Sequence, residues 1–135
     1  MGDFNKDGAI DLAVPHRDGG QSLIFLNDGK AGFGKTMAFG PAVTNARAAA
    51  AGDLNGDGWL DLVVGDERTG TRVYLNDGRG VLVGGVALGD PKMAVGAIAI
   101  ADLNRDGHAD IAIGHAGAPG AVWFNAGDGR RFTDV

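Results

Sequence analysis

The residues equipped for chemistry fall in three stretches built alike: Asp3, Asn5, Asp7 and Asp11; Asp53, Asn55, Asp57 and Asp61; and Asp102, Asn104, Asp106 and Asp110. Each places hard oxygen donors at positions 1, 3, 5 and 9. A glycine at position 6 (Gly8, Gly58, Gly107) permits the left-handed turn that folds those oxygens inward. Three carboxylates and one amide oxygen converging on one point repel one another unless a cation sits among them. Calcium accepts roughly six to eight oxygens in irregular geometry, whereas magnesium wants a smaller octahedron and keeps its waters. With the backbone carbonyl of residue 7 (Ala9, Trp59, His108) added, each stretch suits the larger ion, so about three Ca2+ per chain are expected. Zinc and copper are disfavoured, because no nitrogen or sulfur side chain holds a ligand position.

The stretch begins like an EF-hand but lacks its glutamate at position 12, where Val14, Val64 and Ile113 stand. The competing reading is a set of Asx-rich turns, for which aspartate, asparagine and glycine are chosen anyway. Three copies with every ligand position kept favour the metal loop.

The elements that must position these loops follow from the period. The copies start 50 and 49 residues apart, and Asn27, Asn76 and Asn125 keep the same step. A period near 49 signals a propeller or solenoid unit. In the middle copy, extended segments are expected at 46–54, 59–65, 71–75 and 81–88, separated by glycine-rich turns. The alanine run 46–51 reads as a strand, because its counterpart 94–101 carries Val95, Ile98 and Ile100 and Gly52 ends it early. Small side chains also suit an innermost strand, where sheets converge on an axis. Asn27-Asp28-Gly29 and Asn76-Asp77-Gly78 are expected to close tight hairpins, with one residue more in the third copy.

The predicted fold is therefore all-β: propeller blades of four antiparallel strands, about three per chain. The segments are 1–39 (partial blade 1), 40–88 (blade 2) and 89–135 (blade 3, last strand truncated). Propellers typically close with about 4–8 blades. Three incomplete ones leave edges for another chain, and a homo-oligomeric ring, two copies giving six blades, is expected. Phe25, Tyr74 and Trp123 share one position in the third strand, either as a plug between stacked sheets or as a sugar-stacking platform.

Composition agrees. Glycine accounts for 25 of 135 residues, recurring at fixed offsets as turns do, and the net charge of −5 is carried by aspartates concentrated in the loops. Three divalent ions would bring that charge to about +1, so the acidity reads as ligand supply. No basic stripe points to nucleic acid. No cysteine offers a disulfide or thiolate site, and no run of about 20 apolar residues spans a membrane. Met1 and Gly2 lead straight into the first loop without a secretory signal, which suggests a piece of a longer protein.

Asp-x-Asn-x-Asp-Gly-x-x-Asp followed by an apolar run and glycine (Leu62-Val63-Val64-Gly65, Ile111-Ala112-Ile113-Gly114) resembles the FG-GAP/VCBS repeat of integrin-α-type β-propellers. The first copy departs by placing Pro15 where the glycine belongs. The resemblance implies calcium in the hairpin between strands one and two of each blade, held by the side chains above. It also implies an extracellular or cell-surface protein that binds glycans or other proteins, with no chemistry of its own.

The connections between strands two and three leave the opposite end of each blade. They carry His16, Arg17 and Asp18, then Asp66, Glu67 and Arg68, then His115, which are either a partner-docking face or solvated loop residues. Trp59 is expected to pack on the neighbouring loop or to meet a ligand. No nucleophile elbow, paired metal-binding histidines or phosphate loop supports an enzyme. A calcium-stabilised binding or adhesion module is the leading reading. The alternative is an architectural fragment or engineered subunit whose only activity is calcium-dependent assembly. Asp57→Ala is expected to harm stability more than Asp66→Ala.

Overall fold

The computed structural model describes all of residues 1–135 and contains eleven strands and no helix. They are β1 (Leu12–Val14), β2 (Ser22–Leu26), β3 (Lys35–Phe39), β4 (Ala46–Gly52), β5 (Asp61–Asp66), β6 (Gly70–Asn76), β7 (Leu82–Leu88), β8 (Val95–Ala101), β9 (Asp110–His115), β10 (Ala121–Asn125) and β11 (Phe132–Asp134). Three antiparallel sheets result: β1-β2-β3, β4-β5-β6-β7 and β8-β9-β10-β11. The chain is all-β, and its sheets are propeller-type blades in an array that does not close on itself.

The alanine run is a strand, paired along its length with β5 from Ala48↔Gly65 to Gly52↔Asp61. The reason is close approach. A Cβ on Gly52 would lie 2.8 Å from the Ile100 side chain, and one on Gly65 would lie 2.5 Å from Val95. The innermost strands β4 and β8 meet where only small side chains fit.

The first sheet has only a stub of an inner strand, the bridge Gly2↔Asp11, so β1 lies at its edge. β1 is also short. Pro15 removes the ladder donor after Val14, whereas β5 and β9 run on for six residues.

Side chains alternate across each sheet, and two cores form between the three sheets. Phe4, Ile24 and Phe39 of the first blade pack against Leu62, Val64 and Tyr74 of the second. One step along, Leu54, Val63 and Val73 of the second pack against Val95, Ile111 and Ile113 of the third. Each blade shows one apolar face to the blade before it and one to the blade after. Tyr74 and Trp123 stand in these joints. Tyr74 stacks edge-on to Phe39 at 6.5 Å, and its ring lies over Gly40 as that of Trp123 lies over Gly89. Both glycines hold positive φ (67° and 68°).

One expectation is corrected. The Asn-Asp-Gly segments open longer loops in place of tight hairpins: residues 27–34 separate β2 from β3, and 77–81 separate β6 from β7. Side-chain acceptors brace these longer loops. Asn76 Oδ1 takes the N–H groups of Gly78 and Gly80, and Asp77 Oδ1 takes those of Arg79 and Val81.

Candidate metal centres and the opposite face

The three acidic loops lie at one end of the blades, between the inner strand and its neighbour. In the second loop, Asp53 accepts the N–H of Gly56 at 2.8 Å and that of Gly58 at 2.8 Å, one on each oxygen. Asn55 Oδ1 accepts from Asp57 N at 3.2 Å, and Asp57 Oδ1 accepts from Trp59 N at 2.8 Å. The other two loops repeat the pattern. Around Asp7 N lie both Asp3 Oδ1 and Asn5 Oδ1 at 3.1 Å. Around Asp106 N lie Asp102 Oδ1 at 3.2 Å and Asn104 Oδ1 at 3.0 Å. Oxygens from positions 1 and 3 thus crowd one point in the loop mouth, beside the position-5 carboxylate.

Position 4 also turns left-handed: Lys6, Gly56 and Arg105 have φ of 56°, 74° and 63°. The sequence reading missed this. The glycine in the middle copy was its only signal.

The position-9 aspartates behave differently. Asp11, Asp61 and Asp110 are fully buried, and each has both oxygens occupied by backbone N–H groups. Asp61 takes Leu54 N and Asn76 N at 2.8 Å each; Asp11 takes Phe4 N and Asn27 N; Asp110 takes Leu103 N and Asn125 N. They fasten the acidic loop to the start of the next hairpin. Positions 1, 3 and 5 crowd the loop mouth, and the position-9 carboxylate is buried behind them with one N–H on each oxygen, as Asp53 also has. No three carboxylates or imidazoles meet as a ready-made cluster, and one donor in each loop is an asparagine.

Electrostatics separate the two kinds of aspartate. The N–H of His108, and after it the Asn104 amide, hold the exposed Asp106 below the usual carboxylate range. Burial pushes Asp61 up against the pull of its two N–H donors, and the charges of Asp57 and Asp53 add to the rise. Negative charge in the loop mouth is therefore felt at the buried carboxylate behind it.

The donor set fits a hard divalent cation. Positions 1, 3 and 5 offer two carboxylates and an amide, all oxygen, and a carboxylate oxygen with one N–H partner keeps a further lone pair. Asp3, Asn5 and Asp7, with Asp11 behind them, and their equivalents in the other loops, would hold it. Bound there, the ion would neutralise the acidic mouth and pin the hairpin.

Trp59 packs on the neighbouring loop, with Lys6 Nζ lying 4.4 Å from its ring centre. His108 packs within its own blade, against Gly127.

At the other end, the residues proposed to dock a partner do different jobs. Asp66 is buried: Oδ1 accepts Arg68 N at 2.7 Å and Thr69 N at 3.0 Å, and Oδ2 accepts Asn45 N at 2.6 Å. His16 Nδ1 accepts Gly20 N, and His115 Nδ1 pairs with the Pro119 carbonyl. Arg17, Asp18 and Arg68 are exposed. Arg17 lines an open cavity of about 460 Å³ together with Arg47, Glu67 and Ala116, and Arg47 forms an ion pair with Glu67. Arg47 was not singled out from sequence, because it interrupts an alanine run without any motif.

The sequence profile of the FG-GAP-like repeat matches residues 3–64 and 53–113, so that the middle acidic loop closes one match and opens the next. The chain belongs to the FG-GAP-like repeat family. No curated protein matches it. No helix is long and apolar enough to cross a membrane.

Proposed function

We propose that this chain is a calcium-binding, propeller-type module that binds a glycan or protein ligand outside the cell and performs no chemistry of its own. The observation that carries the reading is the threefold repetition of one oxygen-only donor set on one end of three blades. Each ion would hold an acidic, glycine-rich loop in place, and the millimolar calcium outside cells fills even weak sites. The opposite end is then free to meet a ligand, with Arg17, Arg68 and the rim of the Arg47–Glu67 cavity as first contacts. His16, His115 and Asp66 support that surface from within their loops.

Isothermal calorimetry with CaCl2, followed by a glycan array in calcium and in chelator, tests the reading. Saturable binding of about three ions with calcium-dependent retention of ligand supports it; neither would be seen if the loops were plain Asx turns.

The architectural alternative is favoured by one observation, the apolar face left open on each terminal sheet. On that reading copies join into a ring.

A further inference from the structure

The two joints between blades are built from the same positions, and the two outer faces are the two halves of that joint. At the joint each blade presents a forward face to the blade after it. In the first two blades its centre is Phe4 or Leu54, which are 0% and 1% exposed. The equivalent residue of the third blade, Leu103, is 48% exposed, with Ala112 and Val122 beside it where the second blade has the buried Val63 and Val73. The matching backward face carries Leu62, Val64 and Tyr74, or Ile111, Ile113 and Trp123. On the first blade these positions are Leu12, Val14 and Phe25. Val14 is 43% exposed, whereas Val64 is 5% exposed.

A hydrogen bond latches each internal joint. Asn76 Nδ2 donates to the Phe4 carbonyl at 3.0 Å, and Asn125 Nδ2 donates to the Leu54 carbonyl at 2.7 Å. Asn27, the third member of that series, donates only within its own blade, to the Ile10 carbonyl at 3.1 Å. The carbonyl equivalent to Phe4 and Leu54 belongs to Leu103.

We propose that a second copy of this chain docks head to tail, seating the Leu12–Val14–Phe25 face of one copy on the Leu103–Ala112–Val122 face of the other, with Asn27 latched to the Leu103 carbonyl. This rests on the architectural part of the proposed function and gives it an address. The occupant is a second copy because both halves of a joint formed twice within the chain stand open on one molecule. The joint is heterologous: the two contacting surfaces differ, and it closes only as a ring.

It must accommodate one methyl group more than the internal joints do. At the equivalent of Gly80 and Gly129, where a Cβ would lie within 3.4 Å of the preceding blade's loop, the first blade carries Ala31.

The test is sedimentation equilibrium of the intact chain in calcium and in chelator, with two face variants and their mixture. The wild type is expected to reach at least twice the 13.7 kDa of one chain. Val14→Lys and Leu103→Arg are each expected to stay monomeric while keeping the wild-type circular dichroism spectrum. Mixed in equal amounts, they still share one intact pair of faces and are expected to form a 1:1 dimer and nothing larger. Val83→Lys, on β7 away from both faces, is expected to associate as the wild type does. Wild type that stays monomeric at high concentration, folded face variants that still self-associate, or a mixture that forms no dimer would overturn the proposal. Calcium heats measured on the same samples show separately whether the loops bind, so a failed joint is not confused with a failed metal site.

Discussion

Asp61 and Asn76 stand 15 residues apart and are joined twice over: the Asp61 carboxylate accepts the Asn76 N–H at 2.8 Å, while the Asn76 amide donates to the carbonyl of Leu60, next to Asp61, at 3.3 Å. Asp110 with Asn125, and Asp11 with Asn27, repeat the arrangement in the other blades. One aspartate thus ties the acidic loop to the start of the following hairpin. Replacing Asp61 by Ala leaves two buried N–H groups without acceptors, and urea unfolding is expected to show a loss of about 2–5 kcal/mol. Unchanged stability would mean that these bonds do not hold the loop.

Two other aspartates are expected to separate by their response to calcium. The sequence reading ranks Asp57 above Asp66 for stability, and in the absence of metal the opposite order is expected. Asp66 is buried with three backbone donors on its carboxylate, whereas Asp57 is exposed. Asp66→Ala should lower the melting temperature equally in calcium and in chelator, at a cost of about 2–4 kcal/mol. Asp57→Ala should have little effect in chelator and a clear one in calcium. Thermal scans of both variants under both conditions decide the matter, and equal behaviour of the two contradicts the account.

How far the fold was legible depended on which residues carried redundant signals. Apolar runs, repeated at a fixed step and punctuated by glycine, located all four strands of the middle blade to within about two residues, and the Gly52 and Gly65 contacts explain why small residues mark the inner strands. The acidic loops were visible for the same reason. The structural role of position 9 was not, because the backbone N–H groups that its carboxylate caps come from distant residues such as Asn76. Nor was the brace in the 77–81 loop, where Asn76 and Asp77 stabilise a longer turn than Asn-Gly spacing suggests. The burial of Asp66 was not legible either, because residue type alone does not tell a buried carboxylate from a solvated one.

Tyr74 supplies a pH prediction. Burial raises its phenol above the ordinary value of 10, with the Asp66 charge adding to the rise and Arg72 opposing it. The neutral form is the one favoured in the fold. Its contribution is fully present below pH 10 and is lost as pH climbs through the raised value. Urea unfolding at pH 9 and pH 11 should show a loss in the wild type that is smaller in Tyr74→Phe. Equal losses in both would show that Tyr74 does not ionise on unfolding.

The aromatic-over-glycine contact in the joints predicts another loss. Gly89 has a φ of 68°, and a Cβ there would lie 3.3 Å from the Trp123 ring. Gly89→Ala is expected to cost about 1–2 kcal/mol through backbone strain and to shift Trp123 fluorescence. Gly29→Ala, with φ of 76° and open space around it, should bring only the strain and leave the fluorescence unchanged.

Calcium titration of the metal-stripped chain by calorimetry tests the central claim most directly, run beside a chain in which Asp3, Asp53 and Asp102 are all alanine. Binding of about three ions that raises the melting temperature by many degrees, lost in the triple variant, is the expected result. No heat at millimolar calcium, with the same melting temperature in calcium and in chelator, would contradict it.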